Sequence, residues 1–216
     1  MQSDLIQTSD ERALPSRRRA RSLTLAALVL RIFEGVVTVG LGILLDSVCL
    51  GSFGLASWLS AWRAGGRYRA LGRAPSCGLH AESQGAGRRI SKALWGLAAG
   101  TAFAASMQNR EGFASSSIGA LLLFGWMNVV GMRLLYWAKE SWAKLEDIEE
   151  SPRKQPGYWR GYALMFGSTI FGLLLKLPSP DPATALVLAG VLAAEGVQYW
   201  RAAGEAEREA ACRCER

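Results

Sequence analysis

Residues 112–132 contain no charged side chain. No other feature narrows the possible folds as much. The hydrocarbon core of a bilayer is about 30 Å thick and is crossed by about 20 helical residues. In water, a helix this apolar would have to be covered on every side. The run overlaps a block at 114–138, one of six apolar blocks at 22–44, 46–62, 90–108, 114–138, 158–176 and 182–203. The other blocks are less uniform. The first carries Arg31 and Glu34, the second is short, and the sixth carries Glu195. The fifth is uncharged only over 161–175, with Arg160 and Lys176 as flanks. Such flanks can lay their stems along apolar surface while the charged heads reach water.

Charge placement converts six blocks into a topology. Six spans put both termini on one face, together with segments 63–92 and 139–160. Most of the 25 Lys and Arg residues fall in those four pieces, whereas the three opposite connections are bordered only by Arg110 and Lys176. A Lys/Arg excess on alternate short loops marks the cytoplasmic side. The expected fold class is therefore an all-α membrane protein of six transmembrane helices with cytoplasmic termini. The expected organisation is a basic tail at 1–21, a membrane domain at 22–203 and a second tail at 204–216. Half of the residues are hydrophobic, which excludes a disordered chain, and the loop-by-loop sorting of the +7 charge argues against a nucleic-acid-binding domain.

Aromatic residues fall at the same boundaries. Trp62, Trp95, Trp137, Trp142, Trp159 and Trp200 lie near the inner ends of the blocks, with Tyr136, Tyr158 and Tyr199. Amphipathic rings collect at headgroup depth. The first 21 residues contain Asp4, Asp10 and Glu11, unlike an acid-poor transit peptide. Arg17, Arg18, Arg19 and Arg21 directly precede the first block and suit contact with anionic headgroups.

Charges inside spans mark candidate functional sites. Arg31 and Glu34 share a helix face at i, i+3 spacing and lie roughly 14 to 18 Å into the first helix. Glu195 lies about 12 Å in from the same side. Arg31, Glu34 and Glu195 are thus expected to meet in the inner half of the bundle, either as a relay for protons or cations or as an ion pair fixing helices one and six. Arg133 lies near an inner boundary, where snorkelling accounts for it. Asn128 is expected to make an interhelical hydrogen bond, and Gly96 with Gly100, like Ser168 with Gly172, to let helices approach closely.

Other chemistry is not expected. Cys77 and His80, with Glu82 nearby, lack the second ligand pair that zinc requires, and Cys212 and Cys214 fit free thiols better than a metal or palmitoyl site. No nucleophile elbow, paired-histidine zinc motif or phosphate-binding glycine loop occurs. Neither an enzyme nor a resident cofactor or metal is expected. Segment 65–87 reads as a flexible loop, and 139–154 as a solvated extension of the fourth helix.

Several fragments, in order over about 28–203, resemble the transmembrane domain of cation diffusion facilitators. They are Phe33-Glu34-Gly35-Val36-Val37, Asp46-Ser47-Val48-Cys49-Leu50, Phe53-Gly54-Leu55-Ala56-Ser57, Lys139, Asp181-Pro182, and Glu195-Gly196 with Trp200-Arg201. The resemblance implies a six-helix bundle, commonly dimeric, that exchanges a divalent cation for protons. It also implies metal ligands spaced four apart on spans two and five. The matching positions in span two are Ala56 and Ser60, and segment 151–180 contains no Asp, Glu or His. Neither Ala nor Ser supplies the anionic oxygen or the nitrogen donor expected of such a site. The cytosolic metal-binding domain found in many family members is not expected in segment 204–216. The expected partners are the bilayer, a second copy and, for an altered site, a divalent cation. Two readings stay open: a transporter with a different site built on Glu34 and Glu195, or a transport-inactive relative acting as a membrane scaffold or accessory subunit.

Overall fold

The computed structural model describes residues 2–71, 78–111, 118–143, 158–177 and 179–214. Among these residues the chain is all helix and connection: α1 (Gln2–Leu44), α2 (Val48–Leu71), α3 (Gly78–Glu111), α4 (Ile118–Ala143), α5 (Tyr158–Ser168) and α6 (Asp181–Cys214). A wider π-helical turn, Thr169–Leu174, continues α5. It closes with Leu175 N–H donating to Ile170 O at 2.8 Å.

Helix length departs from expectation at two places. Segment 65–87 is not one loop: α2 runs to Leu71 and α3 starts at Gly78. The arginines, alanines and leucines there favour helix enough to offset Gly65 and Gly66. Helix α1 also extends back to Gln2, so the basic run before the first block is helical. The fourth helix continues to Ala143, while 144–154 lies outside the described residues.

The helices pack as pairs, α1 with α2, α3 with α6 and α4 with α5, and α2 also touches α3 and α6. Glycines set the closest approaches. A Cβ on Gly42 would stand 2.6 Å from Gly51 N, and one on Gly54 would stand 2.6 Å from Thr38 Oγ1. The backbones of α1 and α2 are therefore nearly in contact. Gly125 and Gly161 do the same between α4 and α5, where a Cβ on either would lie 3.0 Å from the other's carbonyl oxygen. The expected pair Gly96 and Gly100 does not work this way, since a Cβ on either would meet nothing within 4 Å. Of the second pair, Gly172 does lie tight against Ile118, and Ser168 is fully buried, its hydroxyl donating to Leu164 O.

The core is drawn from one face of each central helix: Leu50, Phe53 and Ala56 of α2, Leu94 of α3, Leu121 of α4, Leu164 of α5, and Leu188 and Leu192 of α6. The outward faces are also apolar. Phe33 is 61% exposed, Trp126 59%, Ile43 77% and Leu174 70%. Contiguous apolar surface of this kind marks an interaction with lipid or protein. By length and composition, Ser22–Leu44 and Asp181–Gly204, with mean hydropathies of 2.0 and 1.2, suffice to cross a membrane; Ile118–Arg133 is apolar but shorter.

Candidate functional site

Two buried polar clusters flank α2, and they divide the residues that were expected to meet. Arg31 and Glu34 form one with α2 and α4. Arg31 Nη1 donates to Glu34 Oε2 at 2.5 Å, as does Ser57 Oγ at 3.2 Å. Asn128 Nδ2 donates to Glu34 Oε1 at 2.8 Å, which is the interhelical bond anticipated for Asn128. The second Arg31 amine points at Met132 Sδ. A cavity of about 80 Å³ lies against Arg31, Glu34, Asn128 and Met132. The Glu34 carboxylate thus accepts from three donors carried by three helices.

Glu195 is not part of that cluster. Its carboxylate pairs with Arg160, whose Nε donates to Glu195 Oε2 at 2.9 Å and whose Nη2 donates to the same oxygen. Arg160 Nη1 continues across to α2, donating to Ala56 O at 2.6 Å and Ser60 Oγ at 2.9 Å. Ser60 Oγ in turn donates to Ala56 O at 3.2 Å. Arg160 and Glu195 are 1% and 2% exposed. Arg160 is therefore not a snorkelling flank. In the first turn of α5, it is fixed in the interior by a carboxylate on α6 and a carbonyl and hydroxyl on α2. A planar guanidinium suits this position because its rigid fork satisfies three helices at once, whereas an unpaired charge there would be prohibitive.

The sequence held a clue to Arg160. It is the only charge between Lys154 and Lys176, and Glu195 is the one other buried charge in the last two blocks, so each needed the other. Spacing alone favoured Arg31 as the partner of the acids because Arg31 and Glu34 are close in the chain. Arg133 is exposed.

A third polar contact ties the opposite end of the bundle. Asp181, fully buried, opens α6. Its carboxylate accepts from Ser47 Oγ and from Cys49 N–H at 3.3 Å, while Ser47 Oγ accepts from Leu50 N–H at 3.1 Å. One carboxylate therefore sits at the N-termini of two helices, where their dipoles favour negative charge. The preceding turn at Asp46 has φ 51°, a conformation that Asp tolerates, and its carbonyl accepts from Gln108 Nε2 at 2.7 Å.

At the other end lies a band of rings and cations. Arg63 donates to Tyr199 Oη at 2.6 Å and stacks on that ring. Arg88 lies over Trp200, which packs against Trp95 at 5.6 Å. Trp95 covers Gly196 and donates to Ala193 O at 3.2 Å, locking α3 to α6.

Chemically, each inner cluster is one carboxylate with its own arginine. No group of three His, Cys, Asp or Glu side chains converges among the described residues. Cys77 lies outside the described residues, as do the side chains of His80, Glu82, Cys212 and Cys214. Against models of protein families, characterised proteins and solved structures, the chain finds no match.

Proposed function

We propose that this chain is a six-span membrane protein with both termini on its arginine-rich, cytoplasmic face, and that it serves as a transport-inactive scaffold or accessory subunit of facilitator-like architecture. The exposed phenyl, indole and aliphatic side chains on the outer faces of the bundle support a lipid environment. The alternation of basic and nearly uncharged connections supports the orientation.

One observation carries the functional part. Arg160 donates to the carbonyl of Ala56 and the hydroxyl of Ser60, the two α2 positions where the resemblance implies metal ligands. A covalently tethered cation occupies that place, and Glu195 balances it. An incoming divalent ion would face a guanidinium rather than paired anions, and the other acid, Glu34, already holds Arg31, Ser57 and Asn128.

The test is flux through proteoliposomes containing the full chain, with Zn²⁺, Mn²⁺ or Co²⁺ outside and a pH gradient imposed. We expect no uptake above empty liposomes. Uptake lost on Glu34→Gln or Glu195→Gln would overturn the proposal in favour of a transporter with an altered site. Crosslinking in the native membrane is the positive counterpart: a scaffold is expected in a complex with itself or another membrane protein, and an exclusively monomeric chain would remove that role.

A further inference from the structure

We infer that the groove between α2 and α3 is a binding site for an anionic phospholipid, with an acyl chain lying in the groove and the headgroup phosphate met by Arg69, Arg89 and Lys92. This inference rests on the membrane-spanning reading above. The groove has a volume of about 380 Å³ and is lined by Leu55, Trp58, Leu59, Trp62, Ala93 and Leu97. All six are apolar or aromatic, so hydrocarbon is the matching occupant. Its open side faces outward, beside Trp62, which is 65% exposed.

The chain's register places the cations at one end of this groove. Leu55, Trp62 and Arg69 recur at seven-residue steps, about two turns each, and so share a face of α2. Arg89, Ala93 and Leu97 recur at four-residue steps on α3, the row that shares a face. Helix α2 leaves the groove beyond Trp62 and α3 enters it before Ala93, so Arg69 and Arg89 stand at the same end, with Lys92 next to Arg89 at i+3 on α3. Arg69 lies about 10 Å beyond Trp62 along the axis and Arg89 about 6 Å beyond Ala93. Those offsets reach the headgroup layer, which is about 5–7 Å deep on each side of the core, and long side chains span the remainder.

The charge is complementary to a phosphate. Arg69, Arg89 and Lys92 are exposed, and Glu82 is the only acid between Ser47 and Arg110. The neighbouring cations Arg63 and Arg88 are turned onto Tyr199 and Trp200 of α6, so they brace the α6 side and leave Arg69, Arg89 and Lys92 as the exposed cations nearest the groove. Trp62 at the mouth supplies the interfacial ring that anchors a chain at this depth.

The experiment uses the full chain in phosphatidylcholine vesicles containing a small mole fraction of either brominated phosphatidylglycerol or brominated phosphatidylcholine. The Trp62 contribution is obtained by difference from Trp62→Phe. We expect brominated phosphatidylglycerol to quench Trp62 emission several-fold more than brominated phosphatidylcholine at equal mole fraction. The triple variant Arg69→Gln, Arg89→Gln, Lys92→Gln should abolish that preference, at about fivefold in affinity per cation removed. Equal quenching by the two lipids would overturn the anionic site while leaving the membrane reading intact. A preference that survives the triple variant would overturn the assignment of these three residues. No quenching even in fully brominated vesicles would overturn the membrane reading as well.

Discussion

Arg160 of α5 and Glu195 of α6 form a buried ion pair, and the same guanidinium reaches α2 at Ala56 and Ser60. Three helices therefore meet at one side chain. Without an acid on α2, the guanidinium uses a carbonyl and a hydroxyl there, which fixes the packing of α5 and α6 against α2.

Removing only one partner leaves a buried charge uncompensated. Glu195→Ala is expected to destabilise the folded chain by about 3–5 kcal/mol, whereas Arg160→Met combined with Glu195→Leu should recover most of that loss. Thermal unfolding in detergent distinguishes the variants. Equal loss in the single and double variants would show that packing volume, rather than charge compensation, governs the site.

The α1–α2 contact separates glycines that set helix approach from those that do not. A Cβ at Gly42 would lie 2.6 Å from Gly51 N and 2.8 Å from Gly51 Cα, and backbone cannot move aside as a flexible side chain can. Gly42→Ala should destabilise the fold by about 1–3 kcal/mol through overpacking. Gly100→Ala meets open space and should be neutral or stabilising by up to about 1 kcal/mol from helix propensity. The opposite ranking in a detergent melt would contradict the observed helix pairing.

This contrast shows where the sequence was legible. Long apolar blocks imply helices whatever their surroundings, so the number and order of α1–α6 followed from hydropathy. Gly96 and Gly100 carry a close-packing motif, yet contact depends on which face meets a neighbour, and periodicity does not say which neighbour a helix has. The same reason split the candidate cluster. Arg31 and Glu34 are three residues apart, so their pairing was local and readable. The partner of Glu195 lies 35 residues away on α5, and only the packing of α5 against α6 reveals it. Ser57 and Asn128 reach Glu34 from two further helices, so their convergence was equally hidden.

Asp181 offers a test at the opposite end of the bundle. Its carboxylate accepts from Ser47 Oγ and Cys49 N–H, so Asp181→Ala leaves a buried hydroxyl and the first turn of α2 without their acceptor. The expected loss is about 1–3 kcal/mol. Asp181→Asn, which keeps one oxygen, should lose less. If Ser47→Ala and Asp181→Ala act through the same bond, the double variant will lose less than the sum of the singles. Strict additivity would dissolve the proposed link between the α1–α2 turn and α6.

Orientation yields the last prediction. With the four native cysteines replaced, a single cysteine at Ser115 should react with a membrane-impermeant maleimide added to intact cells, and one at Ala74 should react only after the cells are opened. The six-span topology proposed above would put the two positions on opposite sides, because α3 would connect them and its stretch from Leu94 to Gln108 carries no charge. Moving that segment across would also move the arginine-rich connection before it, which the Lys/Arg bias opposes. Labelling at Ala74 but not Ser115 in intact cells would invert the topology. Labelling at both would mean that α3 does not cross the membrane, and the six-span arrangement would fall with it.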